Sequence, residues 1–303
     1  MKIHSLVIML FILFQTTLAF TYNLPSSLHP KLTSHNPNYF SYVIPTGNNV
    51  LTDDPHLEFL LSIQYPIHTF NASSEIFFSY DGLYDFYIVS DSIYESAPVF
   101  SRRQNPGISY RFQHAKKGEI QLGYYHESNG QTLDASDGKD AFDELVSKTS
   151  REYALTQVSR GWNYLSFTFK SAELALNETQ NMKQRISLNF RKYLPKQAFR
   201  TDREDDLFWR ENPNLTTIKN YDGLRFSYEL LSMRETLLNF SARLELKTGI
   251  ADADSLKNLT GRITLTKQIE GIPFSLFYFD GYGKELSTYH LRTQYAGIGL
   301  EFR

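Results

Sequence analysis

His126 and Ser128 stand two residues apart in the run Leu122-Gly123-Tyr124-Tyr125-His126-Glu127-Ser128-Asn129-Gly130. In a strand, successive side chains point to opposite faces, so His126 and Ser128 share one face with Leu122 and Tyr124. An imidazole within reach of a hydroxyl can take its proton as the oxygen attacks, which makes serine a nucleophile. Asn163 belongs to a second strand-like run, where it shares a face with Gly161, Leu165, Phe167 and Phe169. If the two strands are antiparallel and joined by residues 131–158, Asn163 comes beside His126. There its amide oxygen could accept the imidazole N–H and fix the tautomer. Each residue taken singly reads more readily as a polar group at an interface. Taken together they are harder to dismiss, because each costs free energy on a face that is otherwise apolar.

The elements that must carry these residues are strands. From about residue 55 onward, apolar and polar residues alternate in segment after segment. Leu224, Phe226, Tyr228 and Leu230 alternate with Arg225, Ser227 and Glu229; Leu238 to Leu246 alternates with Asn239 to Lys247. A soluble sandwich would alternate too, but its strands are shorter. Segments of about ten residues match a tilted membrane strand. Polar faces bearing both signs of charge suit a lumen in which they can pair. The last segment places Ala296, Ile298, Leu300 and Phe302 on one face, with an aromatic one residue from the end. The expected fold class is all-β, an antiparallel transmembrane β-barrel.

The start of the chain fits export to such a membrane. Met1-Lys2, the apolar run Leu6 to Phe14 and Thr17-Leu18-Ala19 read as a signal peptide over residues 1–19, cleaved near Ala19. Residues 20–50, with Pro25, Pro30, Pro37 and Pro45, read as an irregular N-terminal extension, and residues 51–303 as the barrel. The absence of cysteine means that pairing and packing alone hold the fold. A formal net charge of −2 argues against nucleic acid as a partner. With 20 tyrosines and 23 phenylalanines, the chain is rich in the aromatics such barrels use. Two polar stretches, about 131–158 and 199–220, read as long outer loops.

The run Gly123 to Gly130, followed by Ser159-Arg160-Gly161-Trp162-Asn163, resembles the signature of bacterial outer-membrane phospholipase A. Asn36-Pro37-Asn38-Tyr39-Phe40, Ser96-Ala97-Pro98, Glu211-Asn212-Pro213-Asn214 and Gly281 to Leu286 resemble further segments of that family. The resemblance implies a twelve-stranded barrel that hydrolyses phospholipid acyl esters to fatty acid and lysophospholipid. Ser128 would be the nucleophile, His126 the base and Asn163 its orienter, with the Gly130 N–H facing the oxyanion. It also implies dependence on calcium (Ca2+) at the interface of a homodimer. The calcium would be held by the Ser159 hydroxyl and carbonyl, the Gln131 carbonyl and Ser96 of the partner subunit.

Two departures from the family pattern stand out. The interval from Gly130 to Ser159 is long and holds Asp134, Asp137, Asp140, Asp143 and Glu144, without the spacing of an EF-hand. It reads as a solvated acidic loop. Where the family carries a polar glutamine in its dimer-contact strand, this chain reads Tyr80-Asp81-Gly82-Leu83. A catalytically inactive structural barrel and a porin-like channel of the same fold are the alternative functions.

Overall fold

The computed structural model describes residues 31–47, 49, 51–88, 99–114, 116–131, 133, 138–176, 182–194, 217–232 and 239–302. Its strands are β1 (Asn38–Pro45), β2 (His56–Asn71), β3 (Ser74–Tyr87), β4 (Val99–His114), β5 (Gly118–Ser128), β6 (Gly161–Ser171) and β7 (Leu174–Ala175). They continue with β8 (Met182–Tyr193), β9 (Leu224–Ser232), β10 (Phe240–Thr248), β11 (Thr260–Ile269), β12 (Ile272–Gly281) and β13 (Thr293–Phe302). Every pairing is antiparallel; β1 closes on β13, and β6 passes over the two-residue β7 to pair with β8. The result is a closed ring of twelve strands with β7 as an extra edge. Closure leaves no unpaired edge in the ring itself, the condition for spanning a membrane with strands.

Alternation decides which side chains face outward. On β12, Phe274, Leu276 and Tyr278 are exposed while Ser275, Phe277 and Phe279 are buried. The register sets Leu276 between Leu265 on β11 and Ile298 on β13, so the exposed apolar residues form a continuous band. Such a band on water would be an aggregation surface; facing lipid it is the anchoring surface. No helix among the described residues is long and apolar enough to cross a membrane.

The lumen holds the charges. Glu58 of β2 pairs with Lys284 at 2.5 Å and Arg262 of β11 at 3.3 Å, and Lys284 also reaches Asp85 of β3 at 2.9 Å. Arg243 of β10 pairs with Glu301 of β13 at 2.7 Å. Lys284 lies in the turn after β12. Burial opposes its charge, but Asp85 and Glu58 outweigh that and hold the ammonium well above its ordinary range. A buried ion left without its partner is strongly destabilising, so these pairs fix how the barrel walls meet across the interior.

Two expectations need correction. The N-terminal extension does not run irregularly to residue 50, because Asn38–Pro45 is a full barrel strand paired on both sides. Its prolines mark the two ends: Pro37 precedes the strand and Pro45 closes it. Short of the strand, Asn36 turns into the lumen, where its backbone N–H donates to Ser62 Oγ and its side chain to Asp81. The second correction concerns the acidic stretch, which is not a plain loop. It forms α1 (Gly138–Lys148) and α2 (Arg151–Thr156), the latter capped by the Ser150 hydroxyl, which accepts from the Tyr153 N–H. Ala141, Phe142, Leu145 and Val146 recur at helical spacing and pack with Ala154, Leu155 and Val158 against Leu51, Tyr87 and Phe100. Asp140, Asp143 and Glu144 are exposed, and Glu144 pairs with Lys148, while Asp134 and Asp137 lie outside the described residues. Signal-peptide residues 1–19, Ser96 and residues 211–214 lie outside the described residues.

Candidate active site

β5 and β6 are neighbours in the barrel wall, and their register sets His126 opposite Asn163 and Ser128 opposite Gly161. His126 Nδ1 lies 3.0 Å from Asn163 Oδ1. An amide oxygen can only accept, so this bond assigns the proton to Nδ1 and leaves the Nε2 lone pair free to act as a base. His126 and Ser128 are half-buried on the outward face, above exposed Leu122 and beside exposed Leu165.

Gly161 makes room for the pair. A Cβ built there would come within 3.2 Å of Ser128 Cβ and 3.6 Å of His126 Cε1, so both side chains crowd over this one backbone position. An alanine there would press on the serine Cβ and come into ordinary contact with the imidazole. Gly130, two residues beyond Ser128, has φ 59°, the left-handed conformation that glycine adopts without strain.

The site faces lipid, but it is held from the lumen. Tyr125 stacks on Tyr164 with centroids 5.3 Å apart, and Trp162 packs edge-on against Tyr289. Between these rings, Glu127 pairs with Arg103 at 3.7 Å and Arg191 at 3.5 Å. Residues 125, 127, 162 and 164 therefore fix the backbone from which 126, 128 and 163 project outward. Aromatic pairs of this kind contribute about 0.5–1.5 kcal/mol each beyond their burial.

Past the end of β5, buried Asn129 takes over from the ladder. Its backbone N–H donates to Arg160 O at 3.0 Å, and its side-chain N–H donates to Val158 O at 2.6 Å. Asn129 Oδ1 accepts from the backbone N–H groups of Arg160 at 2.8 Å and Gln131 at 3.4 Å. Leu133 bridges Val158, and the Ser159 N–H donates to Leu133 O at 2.8 Å. Gln131 and Ser159 therefore converge despite the long interval between them. In the sequence, the one signal of this role is that Asn129 stands between Ser128 and Gly130.

These two residues offer oxygen donors, which is what calcium selects. The Gln131 side-chain oxygen already accepts from Arg102 Nη2 at 2.9 Å, leaving its backbone carbonyl with the hydroxyl and carbonyl of Ser159. That set fits calcium in kind but falls short of the six to eight oxygens it takes. Among the described residues, no group of three or more His, Cys, Asp or Glu gathers where a metal could sit.

Gln104 of β4 is the cross-strand partner of Ser128 on its other side, and its amide nitrogen comes within 3.8 Å of where a Cβ of Gly130 would stand. Gly82 of β3 pairs with Gln104 in turn. Over this glycine, where the family pattern has a polar glutamine, the Tyr80 and Tyr84 hydroxyls meet at 2.6 Å.

The sequence matches no protein-family model and no curated protein. The structure, in contrast, matches outer membrane phospholipase A from Escherichia coli with a TM-score of 0.62, covering 90% of this chain and 98% of that one at 15% identity. It matches a calcium-bound dimer of the Salmonella typhi outer membrane phospholipase with a TM-score of 0.61, over 90% and 92% of the two chains at 16% identity. It also matches an active-site asparagine-to-alanine mutant of the Escherichia coli protein at pH 6.1, with a TM-score of 0.61 over 93% and 94% at 16% identity. At such identities the likeness is one of fold: the chain has the barrel of outer membrane phospholipase A, the family its motif resembles.

Proposed function

We propose that this chain, built on the barrel of outer membrane phospholipase A, is a calcium-dependent phospholipase A of the bacterial outer membrane. The observation that carries the reading is the His126–Asn163 bond beside Ser128 on the lipid-facing wall. Ser128 Oγ attacks an acyl ester carbonyl as His126 Nε2 takes its proton. The Gly130 N–H faces the oxyanion that develops. The imidazolium then protonates the departing alkoxide, which leaves as lysophospholipid. Water, deprotonated by the same imidazole, cleaves the acyl-serine and releases fatty acid. Asn163 holds the ring in its working tautomer throughout.

Ser159, the Gln131 carbonyl and Ser96 of the partner subunit would hold calcium, which when bound supplies positive charge beside the oxyanion. A half-site on each chain is consistent with an active homodimer. The Salmonella typhi protein described as a calcium-bound dimer supports this part, and the active-site asparagine of the Escherichia coli mutant supports the role of Asn163. An outward-facing site suits a substrate that reaches it from within the membrane. The ion pairs between strands that are not neighbours reach across part of the lumen, which weighs against a wide porin-like channel.

The test is fatty-acid release from phospholipid micelles by the purified full chain, with calcium and with chelator. Hydrolysis that stops in chelator is expected, and Ser128→Ala should abolish it while the barrel stays folded and heat-modifiable on gels. A wild-type protein that is folded but inactive in calcium would leave the structural-barrel and channel readings in its place.

A further inference from the structure

Arg102 stands two residues before Gln104 on β4 and shares its outward face, while its neighbour Arg103 turns into the lumen and pairs with Glu127. Its Nη2 donates to Gln131 Oε1, its Nε is buried without a hydrogen-bond partner, and no carboxylate pairs with it among the described residues. Among the described residues that flank Ser128 on the outer wall, His126, Gln104, Gly161 and Asn163, none carries a carboxylate. A half-buried cation with no counter-ion, on a wall that meets lipid, is unfavourable unless an anion completes it.

We propose that Arg102 is the receptor for the phosphate of the substrate phospholipid, an inference that rests on the phospholipase reading. The order of groups along the wall matches the order of groups along the lipid. Nearest the outer rim is the guanidinium. One outward-facing position deeper, level with Gln104, is Ser128. Deeper still lie Tyr124, Leu122 and Leu165, the last two exposed. Phosphate, ester and acyl chain follow the same sequence in the substrate. Two strand residues span roughly 6.6 Å, close to the reach of a glycerol unit between its ester carbonyl and its phosphorus. Guanidinium binds phosphate through paired N–H donors, and the Gln131 tether fixes its plane in advance.

The experiment compares kcat/KM for phosphatidylcholine with that for diacylglycerol in the same zwitterionic detergent micelles. These substrates share acyl esters and differ in the phosphate headgroup, and the zwitterionic micelle gives no bulk attraction to a cation. Arg102→Gln should lower the ratio of the two kcat/KM values roughly tenfold or more, and Arg102→Lys should restore part of it. An unchanged ratio in Arg102→Gln would overturn the inference, whether both rates fall together, as loss of the Gln131 tether alone would cause, or neither falls. A wild-type chain that cleaves neither substrate would instead bring down the phospholipase reading, and this inference with it.

Discussion

Asn163→Ala tests the hydrogen bond that would orient the imidazole. The substitution removes the acceptor 3.0 Å from His126 Nδ1 and keeps the Cβ. The backbone around it should hold, since the β5–β6 ladder and the bond from the Leu194 N–H to Asn163 O do not involve the side chain. The lost bond matters most when the imidazole carries a second proton, in the transition states of acylation and deacylation. A hydrogen bond to a charged partner contributes about 1.5–3 kcal/mol, and each 1.4 kcal/mol is tenfold in rate. The expected fall in kcat is therefore roughly 10- to 150-fold, with little change in KM, because Asn163 does not hold the substrate. Asn163→Asp keeps an acceptor at the same place and should recover much of the loss. Fatty-acid release from micellar phospholipid, followed across a substrate range, gives both constants. A kcat within twofold of wild type would refute the orienting role. A loss as deep as that of Ser128→Ala would mean that Asn163 does more than orient.

Two further outcomes bear on the wall and on the metal. Leu244→Arg, at an outward position halfway along β10, should cost roughly 2–4 kcal/mol in refolding into bilayers, whereas a polar substitution at lumen-side Ser241 should be tolerated; equal tolerance at both would contradict the lipid-facing assignment. Ser159→Ala should raise the calcium concentration needed for half-maximal hydrolysis without unfolding the barrel, because one hydroxyl goes and the carbonyl stays; an unchanged calcium titration would remove Ser159 from the half-site.

The barrel was legible because its physics is local: a period of two, sustained over strand after strand, assigns each side chain to lipid or lumen. The last strand illustrates this, with Ile298 and Phe302 exposed and Glu301 buried. The placement of Asn163 beside His126 was legible for the same reason, once the two strands were taken as neighbours. What the pattern could not supply was register and the paths of the loops. Nothing in the sequence alone sets Gln104 opposite Ser128, because that depends on the turn between β4 and β5. The helices of the acidic stretch were hidden by charge, although Phe142, Leu145 and Val146 already showed a helical period. β1 was missed because the prolines at its borders outweighed its alternation.

The bridge between Leu133 and Val158 gives the helical excursion a common root. The chain leaves and re-enters the wall at adjacent points, so the two helices between them are a side branch on the circuit that joins Ser128 to Asn163. A branch of that kind can lengthen, shorten or be exchanged over evolutionary time without shifting His126 relative to Asn163. The β5–β6 wall and the helices that branch from it are thereby free to diverge at different rates. An outer surface meeting a changing environment can then vary on top of a strand pair that stays fixed.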